Sequence, residues 1–388
     1  MMDELAPTLG PIICVVGARP NYMKMAPLIR AFRSAPEEPR TLLVHTGQHY
    51  DVAMNDRLFA DLKLRSPDVN LDVGSGTHAQ QTAEIMRRFE PVVDAASPSC
   101  VVVVGDVNST LACSLVAVKK AIPVVHVEAG LRSFDRSMPE EVNRLLTDQI
   151  CDLLYTTERA AAENLRREGI AMERVHFVGN VMIDSLLSSL RHAVPPAALF
   201  ADSGVDPGLL ADKRGFGLVT LHRPSNVDQQ DSLAEALAIL GEIGRELPLV
   251  WPLHPRTRAN IDRFGLWRAV DARRTIVLPP QGYLETLGLI KDATLVITDS
   301  GGIQEETTAL GVPCLTMREN TERPITVEQG TNVLVGRDRT LIVQSVNAIL
   351  AGDGKRGRIP ELWDGRASER IVAHLLPWLA RRMEPAYA

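Results

Sequence analysis

The sequence has few aromatic residues, no excess of positive charge and no long apolar run. Aromatic side chains make up 4% of its 388 residues, and 48 acidic against 42 basic side chains give a formal net charge of −6. A general nucleic-acid-binding protein normally has a basic excess and aromatic side chains for base stacking, so that class is excluded. No apolar run reaches about 18 residues, so no membrane span is predicted.

Several motifs are also missing. The five cysteines are scattered without a CxxC pair, which predicts a reduced, cytoplasmic protein with no cysteine-based metal site. The segment before the first apolar run carries two acids and no Lys or Arg, which argues against a secretory signal. No GxGxxG occurs, so nicotinamide binding is disfavoured. We therefore expect neither a cofactor nor a metal.

Apolar runs of strand length alternate with segments of helical length. The runs include IICVVG, TLLVHT, CVVVVG, PVVHV, DLLYT, FGLVTL, LPLVWPL, TIVLP, ATLVIT and VPCLTM. Continuous apolar strands are typical of a parallel sheet covered by helices on both faces, which predicts an α/β fold. A single TIM barrel fits the alternation alone, but a Pro-, Gly- and Asp-rich segment at 193–215 interrupts it.

This interruption predicts two doubly wound, Rossmann-like domains that face each other across a cleft. We expect domains at 1–190 and 191–366, with a C-terminal helix at 367–388 joining the first. In such folds, functional residues lie at the carboxyl ends of the strands. The first domain is expected to hold the catalytic carboxylates.

Charged residues follow the strands of the first half. Arg19 and Lys24 come after the first strand, where they are either solvated surface charges or a clamp for a phosphate. Asp106 follows a buried strand and by itself is typical of a turn. His126 and Glu128 are two residues apart, so we expect them to project from one face of a strand end, which favours a site there.

The segment SMPEEVNRLLTD predicts a helix start. Ser137 and Glu140 have the spacing of a capping box, and Pro139 lies in the first turn. Glu140 and Arg144 have the spacing of an i,i+4 ion pair. This structural interpretation accounts for these residues without any chemistry.

The second half contains an anion-binding pattern. Ser300, Gly301 and Gly302 open a helix after a buried strand, where backbone N–H groups and the helix dipole favour a phosphate. Glu306, one turn later, could accept hydrogen bonds from ribose hydroxyls, and Arg323 adds a cation. A tight turn with glycines for packing is the alternative. The combination indicates a nucleoside diphosphate.

A set of motifs in order resembles the non-hydrolysing UDP-N-acetylglucosamine 2-epimerases. These are GARPNYMKMAP, TGQHYD, GDVNST, HVEAGLRS, PEEVNR, GNVMID, TLHRPSN, TDSGGIQEE and MRENTERP. The resemblance implies a two-domain GT-B fold and interconversion of UDP-N-acetylglucosamine and UDP-N-acetylmannosamine. UDP would be eliminated and re-added through an enzyme-bound 2-acetamidoglucal, without a cofactor, and the product would supply cell-envelope or capsular polysaccharide. It also implies a homodimer.

The resemblance assigns roles residue by residue. Catalytic roles fall on Asp106, Glu128, Glu140, His222 and Lys24. Binding of UDP and sugar falls on Arg19, Lys24, Arg144, His222, Ser300, Gly301, Gly302, Glu306 and Arg323. A second, allosteric nucleotide-sugar site would use Gln48, His49, Arg223 and His254. Which carboxylate removes the carbon-2 proton stays open.

The sequence departs from the family pattern at two places. Asn21 stands where many members have Glu, and we expect the chemistry to survive this change. Pro224 and Ser225 replace Arg and Glu of the loop HRRE, so we expect the allosteric site to be weak. The alternatives are a GT-B glycosyltransferase, a hydrolysing epimerase and, less favoured, a non-catalytic regulator that binds nucleotide sugars.

Overall fold

The computed structural model describes residues 10–47, 61–62, 64–203 and 214–383. The chain divides into two compact units, one formed by Met1–Ser185 with Glu361–Ala388 and the other by Leu186–Pro360. Within the described residues, no helix has both the length and the apolar character needed to cross a membrane.

The first unit is built on a parallel sheet of seven strands. The strands are β1 (Ile12–Val16), β2 (Thr41–His45), β3 (Val69–Asn70), β4 (Cys100–Val104), β5 (Val124–Ala129), β6 (Leu153–Thr156) and β7 (Val175–Phe177). Its helices are α1 (Arg19–Arg33), α2 (His78–Ala96), α3 (Asn108–Lys119), α4 (Pro139–Ile150), α5 (Arg159–Arg167) and α6 (Val181–Ser189), which runs past the unit boundary. The strand order is β3-β2-β1-β4-β5-β6-β7.

The second unit repeats this architecture with six parallel strands. They are β8 (Gly217–Thr220), β9 (Leu249–Pro252), β10 (Thr275–Leu278), β11 (Leu295–Thr298), β12 (Cys314–Thr316) and β13 (Asn332–Leu334), in the order β10-β9-β8-β11-β12-β13. The helices are α7 (Pro196–Ser203), α8 (Pro224–Val227), α9 (Gln230–Glu246), α10 (Pro255–Phe264), α11 (Tyr283–Asp292), α12 (Gly301–Leu310), α13 (Pro324–Glu328) and α14 (Arg339–Leu350). Helix α15 (Ala367–Met383) returns to the first unit, where it packs on α1.

Burial on both faces explains the continuous apolar strands. In the second unit, Val219 and Trp251 belong to one core, which includes helix α9, whereas Leu218 and Val250 belong to another, which includes α11. Neighbouring residues of one strand therefore enter different cores, so no polar alternation is left in the sequence. The predicted α/β fold class with two doubly wound parallel sheets is confirmed. A single barrel is wrong because both sheets are open.

Three strands escape the sequence analysis. They are β3, β7 and β13, which have two or three residues each and are partly exposed. Such short, partly exposed segments carry too little apolar pattern to be recognised, and they are held by pairing with a neighbouring strand. Both sheets have a point where the strand order reverses. Strand order reverses between β1 and β4 and between β8 and β11, where ligands bind in open α/β sheets.

Candidate active site

In the first unit, the loops after β1 and β4 are joined by the side chain of Asn21. Its Oδ1 accepts hydrogen bonds from the backbone N–H groups of Gly17 (3.2 Å) and Ala18 (2.9 Å). Its Nδ2 donates to the carbonyl oxygen of Val104 over 2.9 Å. Asn21, noted above as a departure from the family pattern, therefore fixes the point where strand order reverses.

Lys24 and Glu128 form a buried ion pair beside this point. The Lys24 Nζ lies 2.6 Å from Glu128 Oε1, and the two residues are 5% and 3% exposed. Glu128 has a φ of +72°, and the pairing of β5 with β6 shifts register between Val127 and Ala129. A left-handed backbone at a residue with a side chain is strained, and such strain clusters at functional sites.

Two side chains of helix α4 form hydrogen bonds with Asp106. The Arg144 guanidinium donates to its carboxylate, and Asn143 Nδ2 donates to its carbonyl oxygen over 2.9 Å. Arg144 also pairs with Glu141, with 2.6 Å between Nη2 and Oε2. The predicted residues Asp106 and Arg144 are thus brought into direct contact.

Glu141 anchors the loop before α4 and was missed by the sequence analysis. Its carboxylate accepts the N–H groups of Ser133 (3.0 Å) and Phe134 (2.8 Å). Burial alone would raise the pKa of Glu141, but these hydrogen bonds and the charge of Arg144 outweigh it, so the pKa is lowered. Glu141 is one residue from the predicted acid, and the sequence offered no signal to separate the two.

The predicted capping box and i,i+4 pair are both wrong. Helix α4 begins at Pro139 with Met138 as its N-cap and no side-chain cap, because the Ser137 hydroxyl instead donates to Asp135 over 2.6 Å. Arg144 pairs at i,i+3 with Glu141, which turns inward to the loop. Glu140 is half-buried and makes no hydrogen bond or ion pair with any residue in the described part of the chain.

Three of the polar side chains surround Gly105, which has a φ of +69°. A Cβ at this position would lie 3.0 Å from Lys24 Nζ, 3.4 Å from Asn21 Nδ2 and 4.0 Å from Glu128 Oε1. Asp106 is the next residue, so Lys24, Asp106 and Glu128 form one group at the carboxyl end of β4. Arg19 begins helix α1, but its side chain is outside the described part.

His126 belongs to a sealed network behind this group. Its Nδ1 lies 2.7 Å from Asp148 Oδ1 and its Nε2 lies 2.8 Å from the carbonyl oxygen of Gly105. Both ring nitrogens are therefore occupied by partners within the fold. Asp148 also forms an ion pair with Arg132, with 2.7 Å between Arg132 Nη2 and Asp148 Oδ2. The expectation that His126 projects into a site with Glu128 is therefore wrong.

In the second unit, Asp299 organises the loop after β8. This fully buried carboxylate accepts the backbone N–H groups of His222 (3.0 Å) and Arg223 (2.9 Å) and the side-chain amide of Asn226 (3.1 Å). His222 Nδ1 lies 3.1 Å from Asp299 Oδ1. Asp299 was not predicted as a site residue, although it directly follows the buried strand β11.

The next residue, Ser300, is the N-cap of α12. It makes no side-chain cap, and its N–H donates to Thr298 Oγ1 over 3.0 Å. A Cβ on Gly301 would lie 2.5 Å from Glu322 Oε1, so only glycine lets this carboxylate approach the helix start. Ser300, Gly301 and Gly302 therefore open a helix at a strand's carboxyl end, as predicted.

A set of arginines lies beside this helix start. Arg318 Nη2 is 2.8 Å from Glu322 Oε2, and Arg223 Nη2 is 4.0 Å from Glu322 Oε1. Burial opposes ionisation of Glu322, but the charges of Arg323 and Arg318 prevail and lower its pKa to about 2. Arg323 itself pairs with Glu305, with 2.9 Å between Nε and Oε1. Arg323, the one cation predicted here from the sequence, is thus one of several arginines beside the helix start.

Glu306 is buried one turn into α12 and lies close to Tyr283. Burial, together with the neighbouring Glu306, raises the pKa of Tyr283. Glu305, the preceding residue, pairs with Arg323. The two adjacent acids of the sequence therefore have different surroundings.

The predicted allosteric residues are only partly described. Gln48 and His49 lie outside the described residues. The rings of His222 and His254 have centroids 5.2 Å apart, and His254 caps α10 by accepting the N–H of Arg256 over 3.1 Å. Arg223 is held by Asp299 as given above. Among residues 10–47, 61–62, 64–203 and 214–383, no group of His, Cys, Asp and Glu is arranged to hold a metal ion.

The structure thus brings part of the predicted set together in each unit, whereas Glu140 makes no hydrogen bond or ion pair within the described part of the chain. Solved structures share this architecture. Over 95% of this chain and 99% of the other, the chain matches the structure of the Methanocaldococcus jannaschii UDP-GlcNAc 2-epimerase in complex with UDP-GlcNAc and UDP, at 39% identity and a TM-score of 0.84. The Neisseria meningitidis UDP-GlcNAc 2-epimerase bound to UDP-GlcNAc matches over 95% and 100%, at 29% identity and a TM-score of 0.83.

Sequence relatives agree. The chain is 40% identical to a UDP-N-acetylglucosamine 2-epimerase of Methanococcus maripaludis, over 89% of this chain and 95% of the relative. It is 41% identical to the UDP-2,3-diacetamido-2,3-dideoxy-D-glucuronate 2-epimerase of Pseudomonas aeruginosa, over 94% and 99%. The family model described as UDP-N-acetylglucosamine 2-epimerase matches residues 33–376. The chain belongs to the UDP-N-acetylglucosamine 2-epimerase family.

Proposed function

We propose that this enzyme reversibly epimerises UDP-N-acetylglucosamine and UDP-N-acetylmannosamine at carbon 2. The observation that carries the proposal is the group formed by Lys24, Asp106 and Glu128 where strand order reverses, in a chain of this family. A buried carboxylate (Glu128) and a partly exposed one (Asp106), each paired with a cation at a strand's carboxyl end, are suited to proton transfer, whereas packing alone does not need them.

The chemistry sets the requirements. The carbon-2 proton is barely acidic, so its removal must be coupled to departure of UDP from carbon 1. One carboxylate takes the proton while the C1–O bond to UDP breaks, which leaves 2-acetamidoglucal and UDP. Return of a proton to the other face of carbon 2 and of UDP to carbon 1 gives the epimer. The first unit supplies Asp106, Glu128 and Glu140 for these proton transfers.

The second unit supplies the UDP contacts. The start of α12 at Ser300, Gly301 and Gly302 presents N–H groups and a positive dipole end to a diphosphate. Arg323 adds positive charge, and the Glu306 carboxylate is suited to ribose hydroxyls. Arg19 and Arg144 are proposed to add cations from the first unit. These interactions stabilise the departing diphosphate, which is where negative charge develops.

The test is proton NMR of the purified protein with UDP-N-acetylglucosamine in deuterated water, without acceptor or added metal. We expect both epimers at equilibrium, each with deuterium at carbon 2. A GT-B glycosyltransferase would leave the sugar nucleotide unchanged without an acceptor, and a hydrolysing epimerase would accumulate UDP and free N-acetylmannosamine. Either result would contradict the proposal.

The contribution of each carboxylate to turnover can be tested in the same assay. Asp106→Asn, Glu128→Gln and Glu140→Gln should each lower turnover by about 10²–10⁴-fold, because each removes a proposed acid, base or charge. UDP affinity, measured by calorimetry, should stay within about threefold. Glu141→Gln is the matched control at the neighbouring position, and we expect its main effect to be on stability. A fully active Glu140→Gln enzyme would remove Glu140 from the mechanism.

A second substrate deserves a parallel assay. The Pseudomonas aeruginosa relative, at 41% identity, is named for a sugar nucleotide with acetamido groups at carbons 2 and 3 and a carboxylate. The reaction at carbon 2 is the same for both sugars, so the choice rests on contacts to carbons 3 and 6. Higher kcat/KM for UDP-2,3-diacetamido-2,3-dideoxy-D-glucuronate than for UDP-N-acetylglucosamine would reassign the substrate and keep the mechanism.

The cellular setting is part of the same proposal. We propose a cytoplasmic homodimer whose product supplies cell-envelope or capsular polysaccharide. The five cysteines are all buried thiols without a disulfide, which fits a reducing compartment. The dimer rests on the family resemblance, and light scattering of the purified protein tests it directly.

A further inference from the structure

A carboxylate of the protein itself lies against the start of α12. A Cβ added to Gly301, the first residue of this helix, would lie 2.5 Å from Glu322 Oε1. The Glu322 side chain is 8% exposed, so solvent screens its charge weakly. The first N–H groups of a helix lack intrahelical partners, and together with the helix dipole they favour a negative charge. Glu322 supplies such a charge from within the second unit.

Arginines balance the charge of Glu322. Arg318 Nη2 lies 2.8 Å from Glu322 Oε2, and Arg223 Nη2 lies 4.0 Å from Glu322 Oε1. Burial opposes ionisation, but the charges of Arg323 and Arg318 keep the pKa of Glu322 at about 2, so the carboxylate is charged at neutral pH. The Arg318 side chain is equally buried, and its Nη1 makes no hydrogen bond with any residue in the described part of the chain. Arg318 thus has more donors than Glu322 uses.

We propose that Glu322 competes with the diphosphate of UDP for the positive charge at the start of α12, and thereby weakens UDP binding. The inference rests on the proposed function, which assigns the diphosphate to this helix start. Two anions repel each other strongly where little water separates them. The diphosphate therefore binds either by displacing the Glu322 carboxylate or at the cost of that repulsion, and in both cases Glu322 lowers the affinity.

The competition matters because UDP gains charge during the reaction. When the C1–O bond breaks, its electron pair stays on the oxygen of the β-phosphate, so released UDP carries one more negative charge than the UDP moiety of the sugar nucleotide. A fixed carboxylate opposes the binding of UDP more than that of the sugar nucleotide, since the repulsion grows with the charge of the ligand. Glu322 therefore keeps the enzyme from accumulating as its UDP complex.

Calorimetry with uridine, UMP and UDP, whose phosphate charge rises in that order, tests the competition. Glu322→Gln keeps the size of the side chain and removes its charge. Its affinity for UDP should rise by at least about fivefold, its affinity for UMP by less, and its affinity for uridine by less than about twofold.

Glu319→Gln is the matched control, because Glu319 is an exposed acid on the same segment. This variant should bind all three ligands like the wild type. Unchanged or weaker UDP binding by Glu322→Gln would overturn the inference. Equal changes for uridine and UDP would also contradict it, because they would show a structural effect that is independent of phosphate charge.

A second measurement follows the carboxylate in the wild-type protein. Carbon-13 NMR of the glutamate carboxyl groups, with Glu322→Asp to assign the signal, should show a shift of the Glu322 resonance at saturating UDP. Uridine should leave this resonance in place, because it brings no second anion to the helix start. A Glu322 signal that does not respond to UDP would contradict the competition even if Glu322→Gln fails to fold.

The kinetic test separates this inference from the proposed function. In the epimerase assay, UDP should inhibit Glu322→Gln at a concentration at least about fivefold lower than it inhibits the wild type. Equal inhibition of the two proteins would overturn the inference and leave the proposed reaction intact. A wild-type protein that binds UDP but has no epimerase activity would refute the proposed reaction, and the comparison of UDP affinities would still decide the role of Glu322.

Discussion

Both units contain a buried aspartate that lies against a histidine, and the two pairs differ in the surroundings of the second ring nitrogen. In the first unit, Asp148 faces Nδ1 of His126 and the Gly105 carbonyl faces Nε2, with the side chain 1% exposed. In the second unit, Asp299 faces Nδ1 of His222, whose side chain is 37% exposed. Both ring nitrogens of His126 thus have partners within the fold, whereas Nε2 of His222 has no hydrogen-bond partner in the described part of the chain.

The surroundings of these two rings show how a structural histidine differs from one at a site. His126, Asp148, Arg132 and Glu168 form one continuous network of close polar contacts. Burial raises the pKa of Asp148, but the charges of His126 and Arg132 prevail and lower it. For His222, burial lowers the pKa despite the nearby acid. A buried charge that is fully paired indicates a fixed framework, and a half-paired ring at a strand end indicates a site.

The largest expected effect separates the two histidines by function. His222→Asn should lower turnover by about 10²–10⁴-fold, because it removes a ring at the proposed site, and should change the free energy of unfolding by less than about 1 kcal/mol. His126→Asn should instead reduce stability. Steady-state kinetics and urea unfolding of both variants test this contrast, and it fails if His126→Asn is as stable as the wild type.

The second effect concerns the sealed network. Asp148→Asn leaves His126 and Arg132 buried with one carboxylate fewer, which should lower the free energy of unfolding by about 3–5 kcal/mol. Asp94→Asn is the control, because Asp94 is exposed and pairs with Lys120 on the surface. Its loss should cost less than about 1 kcal/mol. Similar urea midpoints for the two variants would contradict the buried-network interpretation.

The third effect isolates the crowded turn at Gly105. Gly105→Ala places a Cβ 3.0 Å from Lys24 Nζ at a φ of +69°. Gly169→Ala is matched in backbone, with a φ of +79°, but has open space around it. We expect the control to lose about 1–2 kcal/mol of stability through backbone strain alone. Gly105→Ala should lose more and also turn over more slowly, and equal effects would show that the contact with Lys24 is unimportant.

The smallest effect is a pH dependence of stability from a second histidine pair in the first unit. The rings of His176 and His374 have centroids 3.9 Å apart, and the Tyr155 hydroxyl is hydrogen-bonded to His374 Nδ1 over 2.8 Å. Burial lowers the pKa of both rings below 6.5, and each is lowered further by a nearby positive group, His374 for His176 and Arg381 for His374. The unfolded chain therefore takes up protons first, so stability falls as the pH drops through 6.5.

Urea midpoints between pH 8 and pH 5.5 measure this loss. His374→Gln removes one of the two titrating rings and should flatten the decline relative to the wild type. The variant has lost the Tyr155 contact at every pH, so its stability at pH 8 provides the reference. An unchanged slope would mean that other groups cause the pH dependence.

Much of the fold could be predicted because apolar runs in the local sequence indicate the buried strands. Strands such as β4 and β11 are unbroken apolar runs, since each is buried on both faces, and the two sheets follow from their alternation with helices. The strands β3, β7 and β13 were missed because pairing with a neighbour, and not composition, keeps them extended. The resemblance to the family then supplied the roles of individual residues, which no local pattern could assign.

Side-chain partners were less readable because they depend on distant parts of the chain. Arg144 has Glu140 at i−4 and Glu141 at i−3, and only the path of the loop before α4 selects Glu141. His126 lies within strand β5 and His222 follows strand β8, and nothing in either motif tells which ring is sealed. The distinction requires the position of the acid that meets each of them.

Local sequence is thus enough for the fully buried strands, the helix starts at Pro139 and Gly301, and the turns that carry acids at strand ends, because these follow from backbone chemistry and nearby apolar pattern. The partners of the site residues are a different matter. Lys24 meets Glu128 across 104 positions, His126 meets Asp148 across 22, and the loop at His222 meets Asp299 across 77. Such contacts exist only once parallel strands have placed their carboxyl ends side by side, because the free energy of burying each charge depends on the partner that the fold brings to it.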